Sequence, residues 1–339
     1  GSSASDYPGS IIESLEGGYL IAGTANAGDS LATGGSFQGN GDWWLVKLDV
    51  NGNVEWNRLL GGSRSEMAPR VVQTPDSGYV VAGLTTSNDG DVVRNVPPVD
   101  LYDANVWVVK LDKTGQNIIW NKCYGGTSTE TDVYLSLTPN DHGFLISGAT
   151  SSDDHGMPGY YKNIIDFLDG FMLKLDEQGE SEWIQHYGGT SQDIFFASYA
   201  LEDGSYVACG GAGSDDYDIP THAFTGSGDK LWVLKLDAPE MDSVVVRTKA
   251  NVAASISTKN GTLDMTATIY PRVLPQNVTW SIVPGTGAAS INANGVVTAE
   301  EDGTVWAKAV AVNNPAMADS VEITITGQEV IGGSVAGLR

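Results

Sequence analysis

The chain has 339 residues, 41% of them hydrophobic and 18% charged, with 42 glycines and a formal charge of −24, so two modules, each able to bury a core without covalent staples, are the expectation. Residues 1–239 hold 12 Lys and Arg against 33 Asp and Glu, and the remainder 6 against 9; the acidic front of the chain repels phosphate backbones and anionic lipid, which excludes nucleic acid and a bare membrane as partners. No apolar run approaches the roughly 20 residues of a membrane span, and two cysteines, Cys123 and Cys209, supply neither a disulfide framework nor a metal motif.

The opening segment, Gly1 to Asp6, is small and polar. Such a start follows removal of an export or lipoprotein signal, so a secreted protein, or one with a lipid anchor at a processed N terminus, is expected. Glycine-rich composition with few runs of helix formers predicts short strands and many turns.

Repeats dominate residues 1–239. Lys47-Leu48-Asp49 returns as Lys110-Leu111-Asp112, Lys174-Leu175-Asp176 and Lys235-Leu236-Asp237, and an aromatic stands three residues before each lysine: Trp44, Trp107, Phe171 and Trp232. After the first three copies come a Gly turn, a strand carrying Trp56, Trp120 or Trp183, and a Gly-Gly pair at Gly61, Gly125 or Gly188. A further strand in each copy, such as Tyr79-Val80-Val81-Ala82, is apolar on both faces, as burial inside a stack of sheets requires. In the second copy the strands are placed near 70–74, 79–84, 106–112 and 118–123. Four antiparallel strands per copy make a propeller blade, and four copies predict an all-β propeller of four blades. The fourth copy lacks the Trp strand and the Gly-Gly, which leaves ring closure open.

This linked pattern resembles the bacterial propeller repeats often called SBBP repeats, over about residues 6 to 237. The resemblance implies a fold and leaves function open, because propellers host many activities.

Insertions at 26–41, 88–105, 151–169 and 213–229 should emerge on one rim, the usual place for recognition. They carry Tyr102, Tyr160, Tyr161, Tyr217 and Phe224, suited to stacking on sugar rings or to pinning the loops. Asp89, Asp91, Asp215, Asp216 and Asp218 lie in the same loops and are candidate calcium ligands; no EF-hand pattern accompanies them, and a solvated acidic loop is the competing reading. No other cofactor is expected. His142, His155, His186 and His222 form no zinc pair, and no nucleophile elbow or phosphate loop is present, so an enzyme is not the favoured reading.

Residues 240–328 abandon the repeat, and 329–339 form a tail. Alternation through Leu263, Met265, Ala267 and Ile269, then Val278-Thr279-Trp280, Gly295 to Ala299, Thr304 to Ala309 and Val321 to Ile325, predict a β-sandwich. Val305, Ala307 and Ala309 should face the core and Trp306 the outside, as a ligand contact or a docking residue. The Val-Thr-Trp, Asn-Gly-Val-Val-Thr-Ala and Asp-Gly-Thr elements are similar to the bacterial immunoglobulin-like group 2 domain. Together the two resemblances imply a cell-surface or adhesion lipoprotein of a bacterial envelope, either surface-exposed or secreted. Its expected activity is non-catalytic binding of a glycan or a protein partner through the rim. A carbohydrate-active enzyme with carboxylates at the propeller centre, or a structural subunit of an envelope complex, are the alternatives.

Overall fold

Apolar runs broken by glycine turns become strands throughout the computed structural model, which describes residues 1–29, 32, 34–93, 103–155, 157, 167–219, 230–270 and 274–328. Among the described residues there is no α-helix, and the strands fall into two units: Gly1–Leu201 with Ser205–Asp237, and Glu202–Gly204 with the chain from Ala238 onward.

The first unit holds four antiparallel sheets, each a meander in chain order. They are β1 (Tyr7–Glu13), β2 (Tyr19–Ala25), β3 (Asp42–Leu48) and β4 (Val54–Leu60); then β5 (Glu66–Gln73), β6 (Tyr79–Thr85), β7 (Asn105–Leu111) and β8 (Ile118–Tyr124). The third is β9 (Glu130–Leu137), β10 (Phe144–Thr150), β11 (Asp169–Leu175) and β12 (Ser181–Tyr187), and the fourth is β13 (Asp193–Ala200), β14 (Tyr206–Ala212) and β15 (Lys230–Leu236). The register is common to all: Ala22 lies opposite Leu45, Ala82 opposite Val108, Ser147 opposite Met172 and Cys209 opposite Val233. The fourth sheet has three strands among the described residues, and it comes from the copy that lacks the Trp strand.

A strand has two faces, and here both are apolar, so each sheet needs a neighbour on either side. Leu20, Ala22, Trp43 and Leu45 of the first sheet bury against Val71, Tyr79, Val81 and Trp107 of the second. The reverse face of the second, Val80, Ala82, Val106 and Val108, buries against Phe144, Ile146, Phe171 and Leu173 of the third. β13 in turn lies against β9, β10 and β11. Aromatic pairs mark every joint. The Trp of each outer strand meets edge-on the residue that opens the second strand of the next sheet: Trp56 to Tyr79 at 6.0 Å, Trp120 to Phe144 at 6.1 Å and Trp183 to Tyr206 at 5.2 Å between ring centres. Trp43 stacks on Trp107 at 4.3 Å.

The lysines of the first three Lys-Leu-Asp segments, Lys47, Lys110 and Lys174, are drawn into these joints and buried, whereas Lys235 of the fourth is exposed. Each buried lysine keeps its charge partnered: Lys47 with Glu55 at 2.9 Å, Lys110 with Asp76 at 2.7 Å, and Lys174 with Asp141 at 2.7 Å and Glu182 at 2.9 Å. A buried ammonium without such a partner would cost several kcal/mol, about what breaking a buried pair costs.

The first strands β1, β5, β9 and β13 are neighbours in that order. Among the described residues no comparable packing joins the first sheet to the fourth. The four sheets are therefore a row whose two ends are uncovered, where sequence alone points to a ring.

The second unit is a sandwich of two four-stranded sheets. One has the order β16 (Ser243–Thr248), β18 (Thr262–Tyr270), β21 (Val296–Glu301) and β20 (Ala288–Ile291). The other runs β17 (Ser255–Ile256), β23 (Ala318–Ile325), β22 (Gly303–Ala311) and β19 (Val278–Pro284). Val246, Met265, Ile269 and Val297 from the first meet Val305, Ala307, Ala309 and Ile323 from the second. Trp306 alternates outward and is half-buried on β22, opposite Val283 and Glu322.

Candidate functional site

The Gly-Gly turns and the described parts of the insertions come together at one end of the sheets. Chain direction explains why. Each outer strand ends at this end, the next inner strand starts there, and the insertion between the second and third strands leaves from it. Four equivalent clamps result. An insertion aspartate accepts the main-chain N–H of the third residue of each turn: Asp29 from Ser3 at 2.7 Å, Asp89 from Ser63 at 2.7 Å, Asp154 from Thr127 at 2.8 Å and Asp216 from Thr190 at 2.9 Å. In the last two the threonine hydroxyl donates to the other carboxylate oxygen, at 2.8 Å in both. Asp91 and Asp218, two residues further on, each accept at 3.2 Å from the first glycine of the pair, Gly61 and Gly188.

Of the candidate calcium ligands, Asp89, Asp91, Asp216 and Asp218 thus each hold a turn, while Asp215 is exposed beside them. Among the described residues no three His, Cys, Asp or Glu side chains are grouped so as to hold a metal ion. Tyr217 projects from this loop, exposed and at a φ of 51°. Tyr102, Tyr160, Tyr161 and Phe224 lie outside the described residues.

Beneath the clamps sits a second repeated device that sequence reasoning passed over. Four residues after the second glycine position stands an acid, and Glu66, Glu130 and Asp193 are fully buried. Gly62 donates its N–H to Glu66 at 2.9 Å and Gly189 to Asp193 at 2.9 Å. The other oxygen takes a hydroxyl from the second strand, Thr85 to Glu66 at 2.6 Å and Thr150 to Glu130 at 2.8 Å; at Asp193 the Ser214 hydroxyl donates at 2.6 Å to the oxygen that Gly189 also bonds, and the other accepts the Gly213 N–H at 3.1 Å. The first residue of the third strand of the preceding sheet faces each acid over the turn: Asp42 toward Glu66, Asn105 toward Glu130 and Asp169 toward Asp193. Asn105 donates its amide to Glu130 at 2.9 Å and to the Gly126 carbonyl at 3.2 Å. Asp42 has no N–H to give. Burial, and then the neighbouring Glu66 charge, push its carboxyl up to about 6, against the main-chain donors Gln38 and Gly39 that favour the anion. Burial likewise raises Glu66 and Asp193, and lifts Glu130 to about 7 despite its hydroxyl and amide donors. The signal for this device was in the sequence as a Gly-Gly-x-x-x-acid spacing.

A cleft of about 360 Å³ opens between the first two sheets on this side, lined by Tyr7, Thr24, Asn26, Asn40, Glu66 and Met67 among others. Tyr7 is exposed, and the Thr24 hydroxyl donates to the Glu66 carbonyl at 3.2 Å. The cleft therefore offers one aromatic face, a thioether and the Asn26 and Asn40 amides, the former already donating to the Ser5 carbonyl. The arginines nearby are committed to main chain: Arg58 to the Gly115 carbonyl at 2.9 Å, Arg64 to that of Thr86 at 3.4 Å, and Arg70 to that of Gly9.

Comparison with known proteins adds little beyond this. No family model matches the chain. It is 23% identical over 290 residues to the regulatory protein FlaEY of Caulobacter vibrioides, covering 79% of this chain and 28% of that protein's length. The C-terminal 282-residue fragment of intimin, solved with the intimin-binding domain of its translocated receptor, superposes over 59% of this chain and 65% of its own, at 12% identity and a TM-score of 0.21. The N-terminal eight Ig domains of the Down syndrome cell adhesion molecule cover 94% and 47%, at 8% identity and 0.23. Superpositions this loose carry no functional argument. Among the described residues no helix is long and apolar enough to cross a membrane.

Proposed function

We propose that the four sheets are propeller blades, that the second unit is an immunoglobulin-like spacer, and that the protein is a non-catalytic binding protein of a bacterial envelope, exposed or secreted. Its ligand is a glycan held at the rim. The cleft between the first two sheets carries this reading: an exposed aromatic ring beside paired amides matches the apolar face and hydroxyls of a sugar. Tyr217 extends the same rim from the fourth sheet.

The carbohydrate-active enzyme has one observation in its favour, the raised carboxyl of Asp42, which is fully buried and faces Glu66, a residue of the cleft lining. Repetition argues against it. Glu66 spends both oxygens on Thr85 and Gly62, and the same arrangement recurs at Glu130, where Asn105 replaces the partner acid. A group built three times into joints between sheets is doing structural work.

Glycan and extracellular-matrix arrays probed with the whole chain test the proposal. Binding is expected, and Tyr7→Ala and Asn26→Ala should weaken it about tenfold each, the worth of a lost stacking contact or buried hydrogen bond. A flat array, or binding indifferent to both substitutions, would overturn the assignment of the cleft. Turnover of a polysaccharide abolished by Asp42→Asn would replace it with the enzyme.

A further inference from the structure

The two ends of the row are the two halves of a joint the chain already makes three times. At the far end, the face of the fourth sheet built from Tyr199, Cys209, Leu231 and Val233 is open: Leu231 is 78% and Val233 62% exposed, whereas their register equivalents Val106 and Val108 in the second sheet are 0% exposed. At the near end, Ile11 is 62% exposed against 3% for its equivalent Val71. Tyr19 is likewise uncovered where Tyr79, Phe144 and Tyr206 are buried. Contiguous apolar surface left in water forgoes the stabilisation its burial would bring, and such faces mark sites of association.

From this we propose that a second copy of the chain covers both ends, the far face of each copy seating on the near face of the other, so that two rows of four sheets close into one ring of eight. The proposal rests on the propeller reading above. The occupant follows from complementarity: Leu20, Ala22, Trp43 and Leu45 show what the far face packs against when it has a partner, namely a surface of the kind that Ile11, Ile21 and Tyr19 present. The contact is heterologous, so it must either close or propagate. Eight sheets lie within the four-to-eight range in which propeller rings close, and twelve do not. Closure also disposes of both apolar ends at once.

The experiment is light scattering on the full chain up to about 100 μM, a range that detects even a weak ring by mass action. The expected mass is twice 35.7 kDa. Because Leu231 and Ile11 are exposed, Leu231→Asp and Ile11→Asp should fold with unchanged circular dichroism and run as monomers. Mixed together they should recover a dimer, since each retains the half that the other has lost. Cys209 gives a second readout: its equivalents Ala22, Ala82 and Ser147 are fully buried, so alkylation should be slow in the native ring and fast in Leu231→Asp, with buried Cys123 as the internal control. A native chain that stays monomeric, a dimer that survives both substitutions, or a mass that climbs steadily with concentration would each overturn the ring. Glycan binding by the monomeric Leu231→Asp variant, whose cleft is untouched, reports on the function independently.

Discussion

Asn105 explains what its counterpart in the first sheet, Asp42, does. Its amide supplies the proton that a carboxylate pair lacks, so where Asp42 stands instead, burial and the Glu66 charge push its carboxyl up and the pair of acids favours a proton between them. A carboxyl whose folded value lies above its unfolded one stabilises the fold while protonated; for Asp42, raised from 3.8 to about 6, and Glu130, raised from 4.5 to about 7, that contribution is full below pH 4 and fades as pH rises through 6 to 7. Asp76 behaves oppositely. The Lys110 and Thr74 hydrogen bonds outweigh its desolvation and hold it at about 2, and Glu16, bonded by Gln73 and Ser14, is also held at about 2, so both contributions are lost as pH falls toward that value. The melting temperature should accordingly peak near pH 4, roughly where the first pair has not yet lost its protons and the second pair has not yet gained them. Asp42→Asn should raise it at pH 8, raise it by about half as much at pH 5 and leave it nearly unchanged at about pH 3.5, while Asn105→Asp should lower it at pH 8 and recover as pH falls below about 4. Each kcal/mol gained or lost shifts the midpoint by about 2–4 °C in a unit of this size. Melting curves that are flat with pH in all three proteins would remove the shared proton.

Single elements show how the joints are enforced. Gly115, in the turn after β7, has a φ of 69°, and a β-carbon there would collide with the Trp56 ring of the preceding sheet. Gly52 occupies the same place after β3 with a φ of 84° and open space around it. Gly52→Ala should therefore cost about 1 kcal/mol for the left-handed backbone alone, and Gly115→Ala distinctly more; equal losses by denaturant titration would mean that the Trp56 contact contributes nothing. The clamps make a second prediction. If Asp89, Asp154 and Asp216 act by accepting N–H and O–H donors, removing one by Ala substitution costs about 1–2 kcal/mol, and a chelator or added calcium leaves the midpoint in place. A calcium-dependent rise of several degrees would return these residues to the role that acid-rich loops suggest. Strand positions were legible in the sequence because Lys-Leu-Asp, the Trp strand and the Gly-Gly pair are fixed by packing in every copy, and β5 to β8 fall within a few residues of where those motifs put them. The short strands β17 and β20 were not, since two or four residues without sustained alternation leave no periodic trace. The clamp was hidden for a different reason. A carboxylate that accepts from main chain and one that binds a cation have the same composition, and only the position of the turn distinguishes them.

At the scale of the whole chain, burial is graded along the row of sheets. β6, β7, β10 and β11 are buried at every residue, because their sheets have neighbours on both faces. β14 alternates, β2 is uncovered only at Tyr19 and in part at Ile21, and β1 and β15 are open over much of their length. Opening free energy follows such gradients, since a strand packed on both faces can open only when its neighbours do. Amide hydrogen exchange of the isolated monomer, obtained by dilution or as the Leu231→Asp variant, should be slowest in β6, β7, β10 and β11 and fastest in β1 and β15. Sequence could not foresee this gradient, for Leu231 and Val233 are as apolar as Val106 and Val108 and read as equally buried. The same measurement on the native chain at about 100 μM bears on assembly, because association stabilises by mass action only the segments it covers. In a ring of two copies the end strands lose their disadvantage, so protection should rise in β1, β2, β14 and β15 and stay level in the middle. Protection that rose uniformly, or only in the sandwich of β16 to β23, would place the contact between copies elsewhere and leave the open faces of the row without a partner.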